Sequence, residues 1–273
     1  PKNRLQQPLH RRKSTYLHVK QWLVSSTKWR IAGVSLLVIV SILLGNQGKS
    51  QASNNAIPLL QPTLFADWGM NNDGTDSSGN GRTLTLTGGA SYTDTFVAEG
   101  THSLDLAGGY ASAPTMTVPS EFSISSWVRI PITLTQIQTI IGTDTASIST
   151  AGFKLYINEY GTSNGKIAFE TGVGESRIAA TTAENTFTFG QWNHIVAVVN
   201  RTAGVVSIYY NGTKVLTNGA TQTDINLSAA PSIGAFSDGQ YSLYGQLDAV
   251  RIYAGLLTDA EVTALYQSYS SPT

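Results

Sequence analysis

Five side chains stand where their type and spacing could do chemistry: Asp67, Trp127, Asp248, Arg251 and Tyr253. The stretch Gly245-Gln-Leu-Asp-Ala-Val-Arg-Ile-Tyr253 has the period of a strand. Simple alternation puts Asp248, Val250 and Ile252 on one face and Leu247, Ala249, Arg251 and Tyr253 on the other. With Val250 and Ile252 toward a core, Asp248 points a carboxylate inward, and a buried charge needs a partner or a metal. In Phe122-Ser-Ile-Ser-Ser-Trp-Val128, Trp127 has the opposite parity to Phe122, Ile124 and Val128, so it faces away from that core. An outward Trp beside Arg251 and Tyr253 suits sugar binding, with ring faces for stacking and charged donors for hydroxyls or carboxylates. If loops cover that face, the same residues form a second small core instead. His194 reads as a core or hydrogen-bonding residue, and its spacing from His102 suggests no shared metal.

Catalytic groups are harder to find. Hydrolysis of a glycosidic bond needs two carboxylates, one to donate a proton and one to attack or to activate water. Glu170 and Glu175 flank the turn Thr171-Gly-Val-Gly174, while Asp144, Glu159 and Glu184 stand isolated along the chain. No Gly-x-Ser-x-Gly elbow, His-Glu-x-x-His helix or phosphate loop occurs. The expectation is a protein that is not an enzyme, with a divergent glycoside hydrolase or lyase as the alternative.

Charge is partitioned along the chain. Residues 1–52 carry nine Lys/Arg and no Asp/Glu, and residues 53–273 carry eight Lys/Arg and seventeen Asp/Glu. The overall charge of zero is therefore a cancellation of +9 and −9. The acidic part has no basic stripe, which argues against nucleic acid as a partner. The sequence has no cysteine, so disulfides, thiolate zinc sites and a cysteine nucleophile are excluded.

The elements that must position these residues follow from patterning. Residues 31–45 form an uncharged apolar stretch behind a basic segment, predicted to be a hydrophobic helix. Its length suits a signal-peptide core of ~7–15 residues better than a membrane span of ~20. Ser50-Gln-Ala52 offers small residues for cleavage, and an uncleaved anchor with its basic end in the cytoplasm is the alternative. Residues 1–52 are thus a signal or anchor, 53–62 a linker and 63–273 one exported domain. Any membrane contact would run through the N-terminal segment. From residue 63 about a dozen short strands recur at 8–12-residue spacing, the pattern of a sandwich or barrel. Trp192–Val199 is apolar on both faces and suits a central strand. Asn211-Gly212 signals a type I′ hairpin. After the last strand, Thr258 and Glu261 form a capping box, and Val262, Leu265 and Tyr266 an apolar stripe.

Four segments in order carry a resemblance: Asp76-Ser-Ser-Gly-Asn-Gly81; Phe122-Ser-Ile-Ser-Ser-Trp-Val-Arg129; Trp192-Asn-His-Ile-Val-Ala-Val198 with Ile208-Tyr-Tyr-Asn-Gly212; and Leu247-Asp-Ala-Val-Arg-Ile-Tyr253 with the helix after it. Over roughly residues 63–268 the chain resembles the laminin-G-like, concanavalin A-like lectin/glucanase family of bacterial secreted proteins. That resemblance implies an all-β, two-sheet antiparallel jelly-roll sandwich with a short C-terminal helix. In similar folds an Asp placed like Asp248 can ligate a structural calcium ion. Asp67 and carbonyls of the Asn71–Gly81 turn would help supply the ~6–8 oxygens such an ion takes. One departure is Ala107-Gly-Gly-Tyr110, where relatives often have an Asp-Gly pair. The functional expectation is a binding module at the cell surface, for carbohydrate binding or adhesion, with a glycan or cell-surface protein as partner. The alternative is a structural or assembly protein of the cell envelope.

Overall fold

Alternating apolar residues decide which strands form and which face each turns inward. The computed structural model describes residues 63–146, 151–173, 175–223, 225 and 228–269. The predicted hydrophobic helix over 31–45 and the linker over 53–62 lie outside the described residues. Seventeen strands and one helix are present among them. In chain order the strands are β1 (Thr63–Trp68), β2 (Thr85–Thr87), β3 (Ser91–Thr93), β4 (Ser103–Asp105), β5 (Tyr110–Ser112), β6 (Met116–Thr117), β7 (Glu121–Arg129), β8 (Gln138–Gly142) and β9 (Gly152–Ile157). They continue as β10 (Ile167–Val173), β11 (Ser176–Thr181), β12 (Trp192–Asn200), β13 (Val205–Tyr210), β14 (Thr213–Ala220), β15 (Ser228–Ala229), β16 (Ser232–Ile233) and β17 (Gln246–Ala254). Helix α1 (Asp259–Ser268) follows.

The strands make two antiparallel sheets face to face, as the sequence predicts, and β6 and β15 form a separate short pair. One has eight strands in the order β14-β13-β12-β7-β17-β4-β3, with β1 also paired to β17. The other has seven, in the order β11-β10-β9-β8-β16-β5-β2. Phe122, Ile124 and Val128 of β7 meet Phe153, Leu155 and Phe169 of the opposite sheet in one core, together with Ile195, Ala197 and Ile252. Each fully buried side chain of this size contributes roughly 1.5–3 kcal/mol, so the core carries a domain that has no disulfide. Strand β12 is buried on both faces, as its apolar run requires. The β13–β14 hairpin turns at Asn211 (φ 49°) and Gly212 (φ 76°), the two positive values a type I′ turn needs. Tyr110–Ser112, Met116–Thr117 and Ser228–Ala229 are strands too short for their patterns to register.

One local feature corrects the simple alternation. Between Asp248 and Arg251 the β17–β7 pairing skips a step: Asp248 faces Trp127 and Arg251 faces Ser125. Three residues of β17 thus span two of β7, a bulge with Ala249 at φ 48°. Leu247 therefore points into the core with Val250 and Ile252. Asp248 turns to the outer face with Trp127, Arg251 and Tyr253. The expected inward Asp248 is overturned by that one extra residue.

Helix α1 starts as its sequence directs. Thr258 caps it, accepting from the Glu261 N–H, while the Glu261 carboxylate accepts from the Thr258 N–H at 2.7 Å. Val262 and Leu265 pack on Val196, Tyr209 and Tyr253. The helix therefore lies on the outer face of the eight-stranded sheet, over the end of β17.

Candidate functional site

The structure gathers the sequence-predicted residues on that outer face and then closes it. Trp127 is 3% exposed, packed with Trp192 and Ala249 and covered by Tyr266 and Tyr269. Its ring centroid lies 5.8 Å from that of Tyr266 and 5.4 Å from that of Tyr269. Tyr253 is buried against Leu257 and Val262. Arg251 is held by Glu99 at 2.6 Å, by Asp67 at 2.9 Å and by the Tyr269 hydroxyl. Burial disfavours its charge, but Glu99 and Asp67 more than offset that, and the guanidinium pKa is raised. The expectation that Trp127, Arg251 and Tyr253 stand on an open face is replaced by a second small core beneath α1. Sequence parity placed Trp127 on the correct side; it could not show what would cover it.

His194 belongs to the same cluster. Its Nε2 lies 2.8 Å from Ser125 Oγ, its ring stacks near Tyr266, and Nδ1 has no partner among the described residues. Burial, aided by the Arg251 charge, takes its pKa down to about 3, so the imidazole is neutral.

The calcium expectation does not fit the donors present. Asp248 is fully buried, and its two oxygens accept from three backbone N–H groups, those of Ala98, Glu99 and Ala249, at 2.8–2.9 Å. A carboxylate ringed by N–H donors is an anion site already filled, whereas calcium wants oxygens around it. Asp67 is committed to the Arg251 cation, and burial raises its pKa despite that neighbour. Among the described residues no group of three or more His, Cys, Asp or Glu is placed to hold a metal ion.

A different cluster forms on the outer face of the seven-stranded sheet. Phe153, Leu155 and Ile157 of β9 point into the core, so Lys154 and Tyr156 point out. Across the ladder Lys154 faces Glu170 on β10, and Gly172 faces Arg177 on β11. Asp144, just beyond β8, completes a quartet. Lys154 Nζ lies 3.2 Å from Glu170 and 3.6 Å from Asp144. Arg177 Nη1 lies 3.2 Å from Glu170 and 2.6 Å from Asp144. The Tyr156 hydroxyl donates to the second Glu170 oxygen at 3.1 Å. A Cβ on Gly172 would come within 2.8 Å of the Arg177 guanidinium, so glycine there makes room for the network. Asp144 is 1% exposed at its side chain, while Glu170 and Arg177 keep an open edge.

Aromatic rings border this quartet. Lys154 Nζ sits 4.4 Å above the centroid of Phe236. Phe236 packs on Tyr241 (4.8 Å) and Tyr156 (6.3 Å), and Tyr241 meets Tyr160 edge-on at 6.2 Å. Tyr160 is 77% exposed. The site thus sets the exposed Tyr160 ring and the half-buried Tyr241 ring beside a row of fixed hydrogen-bonding groups, with Tyr156 and Phe236 buried behind them. Asp144, isolated in sequence, and Glu170, read there only beside Glu175, become neighbours through strand pairing. The signal that could have found Lys154 and Glu170 is a charge in the middle of an apolar strand, in β9 and β10 respectively; Asp144, beyond the end of β8, carries no such mark.

The profile of the laminin-G-like, concanavalin A-like lectin/glucanases superfamily matches residues 105–263. A search of the curated proteins finds no match. Among solved structures, the chain is similar to domain 4 of AbnA, an extracellular arabinanase of Geobacillus stearothermophilus in complex with arabinotriose. That match has 24% identity and a TM-score of 0.61, covering 76% of this chain and 100% of that one. It is also similar to the receptor-binding domain of botulinum neurotoxin type G (20%, TM-score 0.59). A third is the serotype D ligand-binding domain in complex with N-acetylneuraminic acid (16%, TM-score 0.57). Each toxin match covers 76% of this chain and 51% of the other, so the chain spans about half of those domains. At these identities the solved structures speak for the fold, and the profile match for the family. The chain belongs to the concanavalin A-like lectin/glucanase superfamily.

Proposed function

We propose that this protein is an exported, non-enzymatic glycan-binding module of the cell surface, and that its ligand lies on the outer face of the seven-stranded sheet. The observation that carries the reading is the Asp144–Lys154–Glu170–Arg177 quartet bordered by Tyr156, Tyr160, Phe236 and Tyr241. Burying four charges costs desolvation, and apolar residues would hold a sheet face at least as well. Fixed polar groups beside exposed ring faces are what a sugar requires, with hydroxyls to bond and C–H faces to stack on. Neighbours that carry glycans in the same fold support this choice. Trp127, Arg251, Tyr253, Asp67 and Asp248 take the part of holding α1 to its sheet. Export rests on the basic and apolar N-terminal segment.

Asp144 and Glu170 are close enough to suggest the carboxylate pair of a glycosidase. Each carboxylate is already paired with both Lys154 and Arg177, however, and a glycosidase needs its two carboxyl groups free to meet the glycosidic bond. Incubation with arabino- and galacto-oligosaccharides is expected to release no reducing ends. Binding is tested by calorimetry with a panel of oligosaccharides, arabinotriose included. Tyr160→Ala removes one exposed ring and should weaken binding about tenfold, the ~1.4 kcal/mol of a single stacking contact. Unchanged affinity in both Tyr160→Ala and Tyr241→Ala would place the ligand elsewhere.

A further inference from the structure

We propose that the ligand is an electrically neutral oligosaccharide and that acidic glycans are turned away. This rests on the glycan-binding reading above. Within the quartet, two cations meet two carboxylates, and each cation touches both acids. The site's positive charge is thus fully engaged before any ligand arrives. A carboxylated or sulfated sugar would have to take a guanidinium or ammonium from a buried partner, leaving Asp144 or Glu170 uncompensated. A neutral sugar needs no such exchange. The Glu170 edge accepts hydroxyl protons, and the Arg177 edge donates.

The rest of the domain points the same way. Residues 53–273 hold eight Lys/Arg against seventeen Asp/Glu. Six of those eight cations are in ion pairs with carboxylates. The other two meet neutral groups, Arg129 the Gln246 amide and the Phe96 ring, and Arg201 the Thr223 carbonyl. A domain of net −9 with most of its cations paired to carboxylates repels anions at long range.

The test uses the full chain and paired neutral and acidic probes: galacto-oligosaccharides against galacturonate oligomers, and lactose against sialyllactose. Each neutral member is expected to bind at least about tenfold tighter than its acidic counterpart. Its affinity should change less than about twofold between 20 and 500 mM salt. Tighter binding of the acidic members, or affinity that collapses with salt, overturns the inference. Binding to none of the four probes nor to the wider neutral panel overturns the glycan reading itself, a distinct outcome. In the variant Glu170→Gln one carboxylate is removed and a cation is released. Its affinity for the acidic members should rise about tenfold. No gain in a variant that retains the far-ultraviolet circular dichroism of the unmodified protein counts against the proposal, and the salt series stands whether or not the variant folds.

Discussion

Replacing His194 by Gln offers the sharpest check on the closed face beneath α1. Glutamine reaches the Nε2 position and can keep the bond to Ser125, so the substitution chiefly removes a titrating ring. In the folded protein the His194 pKa is taken down to about 3, by burial first and the Arg251 charge second. In the unfolded chain it lies near 6.5. The folded pKa is depressed, so the stability linked to His194 is fully present above pH ~6.5 and is lost as pH falls toward 3. At the full slope of ~1.4 kcal/mol per pH unit, the loss between pH 7 and 4.5 is about 2.5 kcal/mol. The assay is urea unfolding of both proteins, followed by tryptophan fluorescence, at four pH values in that range. Titrations common to the two, including Asp248, cancel in the difference. The variant is expected to be the less stable at pH 7, and the gap should close by about 2.5 kcal/mol at pH 4.5. Parallel curves would refute the reasoning, because they would mean that the folded state admits a proton on His194 and is open there.

Asp248 gives the opposite sign. Burial raises its pKa to about 7 against the pull of three N–H bonds. Its contribution is therefore full below pH ~4 and falls as pH rises through 7, by up to ~1.4 kcal/mol per unit. Carbon-detected NMR of the Asp248 carboxyl should show a midpoint near 7, and a midpoint near 4 would overturn it. Removal of divalent cations is expected to leave the thermal midpoint unchanged, since the Asp248 oxygens are occupied by N–H donors. A fall of several degrees on adding chelator, reversed by calcium, would contradict that.

Much of the sandwich was legible because strands announce themselves by alternation and turns by Asn and Gly. The β13–β14 hairpin and the Thr258 capping box rest on local rules that tertiary context did not disturb. What escaped was non-local or unmarked. The bulge at Ala249 carries neither the Gly nor the Asn that usually marks positive φ, so parity alone put Asp248 on the wrong face. The quartet joins Asp144 to Arg177, 33 residues apart, through the pairing of four strands, and no spacing rule predicts it. The apolar stripe of α1 was visible, but not that its last turn would lie over Trp127.

The place of β17 in the sheet has a consequence for biogenesis. This final strand bonds to β1, β4 and β7. Until β17 is available, β1, β4 and β7 each lack that neighbour and the eight-stranded sheet cannot be completed. The domain therefore commits to its native topology only after β17 has been made. Any step that needs an unfolded chain must precede the pairing of β17 with its three neighbours.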